Sequence, residues 1–261
     1  MVKQKMQLGV DLRGRSSKDT TDRNRTSPFA FTGNKFEFRS LGSSNSIACA
    51  NIMLNSAVAE SLRIFADRLE TSSDFENDLH ALIKETVKEH KRIIFNGNGY
   101  DDAWVKEATE VRGLKNYKTT PDCMPHLLDE KNVNMLTSHG VFSKAELESR
   151  CEIMLENYCK SVTIEANTMV SMANTQIAPA IEKFAGDLAK RAANKKSLDS
   201  SIACSYETNA VKKLSSLTDA IYTKTDELKD VIIALSKADG IISESEMIRD
   251  TVLPKMSELR V

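Results

Sequence analysis

Helical periodicity that runs almost unbroken through the second half of the chain constrains this fold most. Ser143-Lys144-Ala145-Glu146 has the spacing of a capping box, in which the serine hydroxyl and the glutamate carboxylate each take a backbone N–H at the helix start. The apolar-periodic run that it opens extends to about Lys196. Pro179 falls inside it and is expected to kink or interrupt the helix, because proline has no amide donor and crowds the preceding turn. A second long run covers about residues 199–237. The sequence Ala238-Asp239-Gly240 then stops it, and a last helix is expected from Glu244. The chain has only 10 glycines and 5 prolines in 261 residues, which agrees with an α-rich fold because neither is comfortable inside helices.

Shorter helices precede these. Leu54, Val58, Leu62, Phe65 and Leu69 are spaced three or four apart, which stacks them on one helical face. A second stripe, Phe75, Leu79, Leu82, Ile83, Val87, His90 and Ile94, predicts a helix from Asp74 to about Phe95. Asn96-Gly97-Asn98-Gly99 must end it, since both residue types favour turns. A short helix around Trp104 is expected to end near Gly113. Another is expected to begin with Thr120 as its cap and Pro121 at its first position.

The N-terminal part has a different period. Residues 1–28 are polar and irregular, and the run from Arg13 to Arg25, which has no apolar period, reads as loop. In residues 29–39, Phe29 and Phe31 alternate around Ala30, Thr32-Gly33-Asn34 supplies turn chemistry, and Phe36 and Phe38 alternate with Lys35, Glu37 and Arg39. That pattern predicts a β-hairpin. The expected fold is therefore predominantly α with a short N-terminal β-hairpin and long antiparallel helices. Strand geometry puts Lys35, Glu37 and Arg39 on one face, about 6.6 Å apart from one to the next. The aromatic face is expected to anchor the strand on a core. A carboxylate between two cations, with Arg23 and Arg25 just upstream, suits an anionic metal-bound ligand. A half-buried surface strand with solvated charges gives the same pattern, and on pattern alone it is the commoner case.

The rest of the composition narrows the function. Lys+Arg is 36 and Asp+Glu is 37, so no long-range field draws the chain to nucleic acid or anionic membrane. No run reaches the ~18 apolar residues of a membrane span. Residues 1–15 lack the apolar centre of a signal peptide. The cysteines (Cys49, Cys123, Cys151, Cys159 and Cys204) are odd in number and show no CxxC, so buried thiols of a cytoplasmic protein are expected. The histidines show no metal-ligand spacing. Trp104 is expected to pack its own helix, and Glu156 and Glu165 to be helix-paired or solvated.

The string KDTTDRNRTSPFAFTGNKFEFR at residues 18–39 resembles the signature of type III glutamine synthetases. The resemblance continues through LGSSNSIACANIMLN, VAESLRIFADRLE, NGNGY, WVKEA, RGLKNYKTTPD and HGVFSKAELESRCEIMLENYCKSVTIEANTM. It covers residues 18–195 clearly and the remainder loosely. It implies that residues 1–73 are the C-terminal part of the family's α+β catalytic domain and residues 74–261 its helical C-terminal region.

The resemblance also implies roles. Glu37 matches a carboxylate that helps hold one of two divalent metals, magnesium or manganese. Arg39 matches an arginine that meets glutamate and the transferring phosphoryl group. Arg25 matches a contact to the terminal phosphate of ATP, and Lys35 stands where other classes have a basic nucleotide contact. Ala30 occupies the place of a further arginine of those classes. The implied reaction joins glutamate and ammonia through γ-glutamyl phosphate, in a cytoplasmic homo-oligomer with no nucleic-acid or membrane partner. Metals and arginines stabilise the charge gathered around phosphorus. The resemblance further implies that most metal-binding residues belong to parts of the family's fold preceding Met1, so this partial chain is expected to be inactive alone. A non-catalytic helical module that joins or regulates an oligomer through residues 140–261 is the alternative.

Overall fold

The computed structural model describes residues 5–6, 16–17, 29–31, 36–40, 42–43, 45–95 and 97–260. Two antiparallel strand pairs come first: β1 (Lys5–Met6) with β2 (Ser16–Ser17), and β3 (Phe29–Phe31) with β4 (Phe36–Phe38). The second pair is the expected hairpin, with Phe29 opposite Phe38, Ala30 opposite Glu37 and Phe31 opposite Phe36. Its turn, Thr32-Gly33-Asn34, lies outside the described residues. The first pair corrects the reading of this region: β2 falls inside the 13–25 run read as loop, and β1 in the stretch read as irregular. Two-residue strands are too short to leave an alternating signature.

Ten α-helical segments follow among the described residues: α1 (Ala48–Glu70), α2 (Phe75–His90), α3 (Asp102–Lys106), α4 (Thr120–Cys123), α5 (Glu130–Ser138), α6 (Lys144–Met172), α7 (Ala178–Leu198), α8 (Ser205–Ala234), α9 (Gly240–Met247) and α10 (Leu253–Arg260). The chain divides into two compact units, one of residues 1–116 and 135–141, the other of residues 117–134 and 142–261.

In the first unit, Arg68 of α1 donates to Glu85 of α2 at 2.6 Å. Asp74 caps α2 by accepting the Asn77 N–H. The expected stripe on α1 is present but incompletely covered, with Val58 and Leu62 exposed. Among the described residues of this unit the buried apolar ones are Leu82, Ala108 and Leu136. Asn96 is outside the described residues, but its neighbourhood is well anchored. The Phe95 and Trp104 rings stack with centroids 3.7 Å apart, and the Arg112 guanidinium lies 4.8 Å from the Trp104 centroid. Arg112 also donates to the Arg92 and Ile94 carbonyls and to Glu107. Trp104 therefore packs its own short helix as expected. A side chain at Gly97 would displace this stack, because a Cβ there would stand 2.6 Å from Phe95 Cζ.

The second unit holds the larger core. Cys159, Val162 and Ala166 of α6 meet Leu228 and Leu235 at the end of α8, and Ile248 and Val252 before α10. The Ser143 capping box forms as read, with Ser143 N–H donating to Glu146 at 2.7 Å and Ser143 Oγ accepting from Glu146 N–H. Three boundaries differ from expectation. Thr119, not Thr120, caps α4, because its hydroxyl is the one three residues before Asp122 N–H. The helix expected from residue 199 begins at Ser205, since Asp199 instead accepts from Ser201 N–H and closes a turn. The last helical stretch begins at Gly240, whose φ of 84° permits the sharp entry.

The α-helical ladder is interrupted just ahead of Pro179, as expected, without the chain leaving the helix. The helix widens into a π-turn at Ala173–Ile177 and resumes as α7. A second π-turn, Ile248–Val252, stands at the same offset before Pro254. The wider turn accommodates the ring and the missing N–H that would otherwise disrupt an α-helical ladder. α7 and α8 then fold back on each other as an antiparallel pair, pinned near their joining loop by Lys195 and Glu207.

Candidate functional site

β4 carries the charged side chains of interest. Alternation sends Phe36 and Phe38 to one face and Glu37 to the other, and Arg39 follows directly after the strand. Arg39 Nη2 donates to Glu37 Oε2 at 2.7 Å, so the pair is co-facial as the sequence requires. Both side chains are about three-quarters covered. The aromatic face corrects the expectation of an anchor on a core: Phe36 is 62% exposed and Phe38 51%. A two-stranded ribbon offers no layer to cover that face. The rings shelter against Phe29 across the ladder, stacked at 5.1 Å for Phe36 and edge-on at 6.2 Å for Phe38.

Arg25 and Lys35, the other two basic residues of the candidate site, lie outside the described residues, as does Arg23. For a divalent metal, the test is the donor set. Among the described residues no group of three His, Cys, Asp or Glu side chains comes together to hold an ion. Glu37 is a single carboxylate already bridged by arginine. These residues do not by themselves fit a metal centre.

Other charged groups are spent on structure. His139 Nε2 and Glu60 Oε2 lie 2.8 Å apart, joining the 135–141 segment to α1, and Arg63 forks onto the same carboxylate. Hydrogen bonds from Arg63 first, then His139, hold the Glu60 carboxyl down at about 2. His126 stacks on Tyr117 at 4.2 Å and approaches Asp129 at 3.0 Å. Glu156 pairs with Lys160 one turn along α6, the helix-paired role expected of it. Cys151, Cys159 and Cys204 are buried, whereas Cys49 and Cys123 are exposed, contrary to the expectation for all five. The Arg112 stack, the His139–Glu60 pair and an Arg249–Asp122 bridge went unread in the sequence. The long-range pairs leave no local signal, and each arginine or histidine involved resembles any surface residue until the fold is known.

Comparison with known proteins gives this arrangement its setting. The glutamine synthetase C-terminal domain family matches residues 78–196, which run from α2 through nearly all of α7. The helical body thus contains a glutamine synthetase C-terminal domain. A glutamine synthetase of Butyrivibrio fibrisolvens is 38% identical over 253 residues, covering 94% of this chain and 35% of that protein. A type-3 glutamine synthetase of Dictyostelium discoideum is 35% identical over 262 residues, covering 98% and 36%. A glutamine synthetase of Bacteroides fragilis (strain YCH46) is 31% identical over 250 residues, covering 93% and 34%. The chain is similar to glutamine synthetases over nearly its whole length and spans about a third of the length of the curated relatives it matches.

Proposed function

We propose that this chain contributes one arm of the active site of a type III glutamine synthetase, a ligase that joins ammonia to glutamate at the expense of ATP. The observation that carries the reading is the co-facial Glu37–Arg39 pair on β4, within a chain that its relatives match almost from end to end. In this reading Arg39 binds the negative charge of glutamate and of the phosphoryl group in transfer, where a guanidinium fork is always charged and planar. Glu37 orients that guanidinium and lends one carboxylate to a magnesium or manganese site completed by residues outside the described set. Arg25 and Lys35 contact the nucleotide. Residues 1–73 belong to the catalytic domain and residues 74–261 to a helical C-terminal region. The enzyme works as a cytoplasmic homo-oligomer. No helix of the described residues is long and apolar enough to cross a membrane.

An ATP-dependent γ-glutamyl hydroxamate assay tests the proposal. The purified chain alone is expected to give no product, because one carboxylate cannot hold a metal pair. In an enzyme that carries this segment together with the remaining two thirds of its relatives' length, Arg39→Ala is expected to lower kcat by about a hundredfold or more. Glu37→Gln is expected to raise the metal concentration needed for activity. Activity of the chain alone that Glu37→Ala abolishes, or indifference of the longer enzyme to both substitutions, would refute it.

A further inference from the structure

The second unit is electrically lopsided in a way that its local ion pairs do not explain. Residues 190–213, at the tip of the α7–α8 hairpin, carry six cations against two carboxylates, Asp199 and Glu207. One of those carboxylates is spoken for, since Glu207 is buried against Lys195. Lys190, Arg191, Lys212 and Lys213 are exposed and make no ion pair among the described residues. At the same tip Leu198 is 84% exposed and Tyr206 70%.

The opposite end of α8 has the complementary character. Residues 230–246 carry four carboxylates, Asp230, Asp239, Glu244 and Glu246, against the single cation Lys237. None of these four carboxylates has an ion-pair partner among the described residues. Ile242 and Glu246 lie four residues apart on one face of α9, and Asp239 stands at its N-cap. Ile233 and Ile242 stand 66% and 51% exposed beside them. Tyr206 and Ile233 are 27 positions apart on one helix, which separates the two ends by about 40 Å.

A basic end and an acidic end, each with exposed apolar side chains, cannot satisfy one another within a single rigid helix. They can do so between two molecules. We propose that the basic α7–α8 tip of one copy of this chain docks head-to-tail on the acidic α8–α9 end of a second copy. Apolar contact supplies the adhesion, while opposite charge sets orientation and suppresses tip-to-tip pairing, where like charges would meet. This deepens the proposed oligomer by naming its contact, and it stands or falls separately from the ligase chemistry because its readout is mass.

Sedimentation velocity on the full chain at low and high salt tests it. Concentration-dependent self-association is expected, weakening about tenfold or more between low and high ionic strength. Lys212→Glu with Lys213→Glu should abolish it, as should Asp239→Lys with Glu246→Lys. All four positions are exposed, so circular dichroism should show unchanged helix content. Mixing the two reversed variants should restore association between unlike molecules, since the acidic tip of one then meets the basic end of the other, and combining all four changes in one chain should restore self-association. A monomer at every salt concentration, or association that neither reversal alters, would overturn the proposal. So would binding of the tip to phosphatidylserine vesicles while self-association survives the Lys212/Lys213 reversal.

Discussion

Arg249 Nη1 donates to Asp122 Oδ1 at 2.6 Å, joining two positions 127 apart in sequence within the second unit. The same guanidinium grips Asp250 through Nε and Nη2, and Asp122 is held in turn by the Thr119 hydroxyl at 2.6 Å. Its neighbours raise the Arg249 pKa, Asp250 most strongly, while Thr119 first and Arg249 after it lower that of Asp122. The π-turn before α10 is thereby tied to the N-terminus of α4.

Because Asp122 serves both Thr119 and Arg249, substitutions in this network should not add. Arg249→Ala and Asp122→Ala should each lower the Tm. The double variant should fall little below the worse single one. Thermal unfolding of all four proteins gives the cycle, and simple additivity would show that the bridge contributes nothing.

Acid should loosen the attachment of residues 135–141 to α1. The folded Glu60 carboxyl sits at about 2 against an ordinary 4.5. A depressed carboxylate stabilises above its ordinary value, and that contribution drains away as pH falls from about 4.5 toward 2. Hydrogen-exchange protection of residues 135–141 should therefore decline across that window, and Glu60→Gln should flatten the decline. Identical pH profiles for the two proteins would remove Glu60 from the account.

Gly97→Ala should destabilise the first unit by about 1–3 kcal/mol, the usual cost of forcing extra volume into a packed site. The added methyl would stand 2.6 Å from Phe95 Cζ and push the ring off Trp104. Denaturant unfolding followed by Trp104 fluorescence reports both effects together. Phe95→Leu should relieve part of the loss.

The thiols should separate into two classes. Burial pushes Cys159 up to about 11 and raises Cys151. Neither offers an accessible thiolate at neutral pH, and Cys204 is likewise buried. Iodoacetamide mapping by mass spectrometry should modify Cys49 and Cys123 in the folded protein. Cys151, Cys159 and Cys204 should follow only in denaturant.

Much of this architecture is written in local sequence. The capping box at Ser143, the helical stripes and the hairpin at residues 29–38 all arise from nearest-neighbour chemistry, and the fold bears them out; the helix expected to reach Phe95 instead ends at His90 and a short 3-10 turn, ahead of the Asn-Gly run. What sequence leaves open depends on what lies across space. Val58 and Leu62 share a face with Leu54, yet coverage of that face depends on distant elements. Phe36 and Phe38 alternate as an inward face should, and a ribbon of two strands leaves them outside. Pro179 signals an interruption, and only the structure shows that it takes the form of the π-turn at Ala173–Ile177. At the candidate site, strand alternation was enough to put Glu37 and Arg39 side by side. The absence of a carboxylate cluster among the described residues could be learned only from three dimensions.

The π-turn at Ala173–Ile177 also acts as a phase shifter. A wide turn holds one residue more than an α-helical turn, and each residue advances the helix by about 100°. α7 is thus clocked by roughly that angle from the direction an uninterrupted α6 would have given it. Ala185 and Leu188 are the buried residues of α7, which packs against α8. The stretch from Lys144 to Leu198 is thus read in two keyed settings, both helices meeting α8, with five residues serving as the coupling between them.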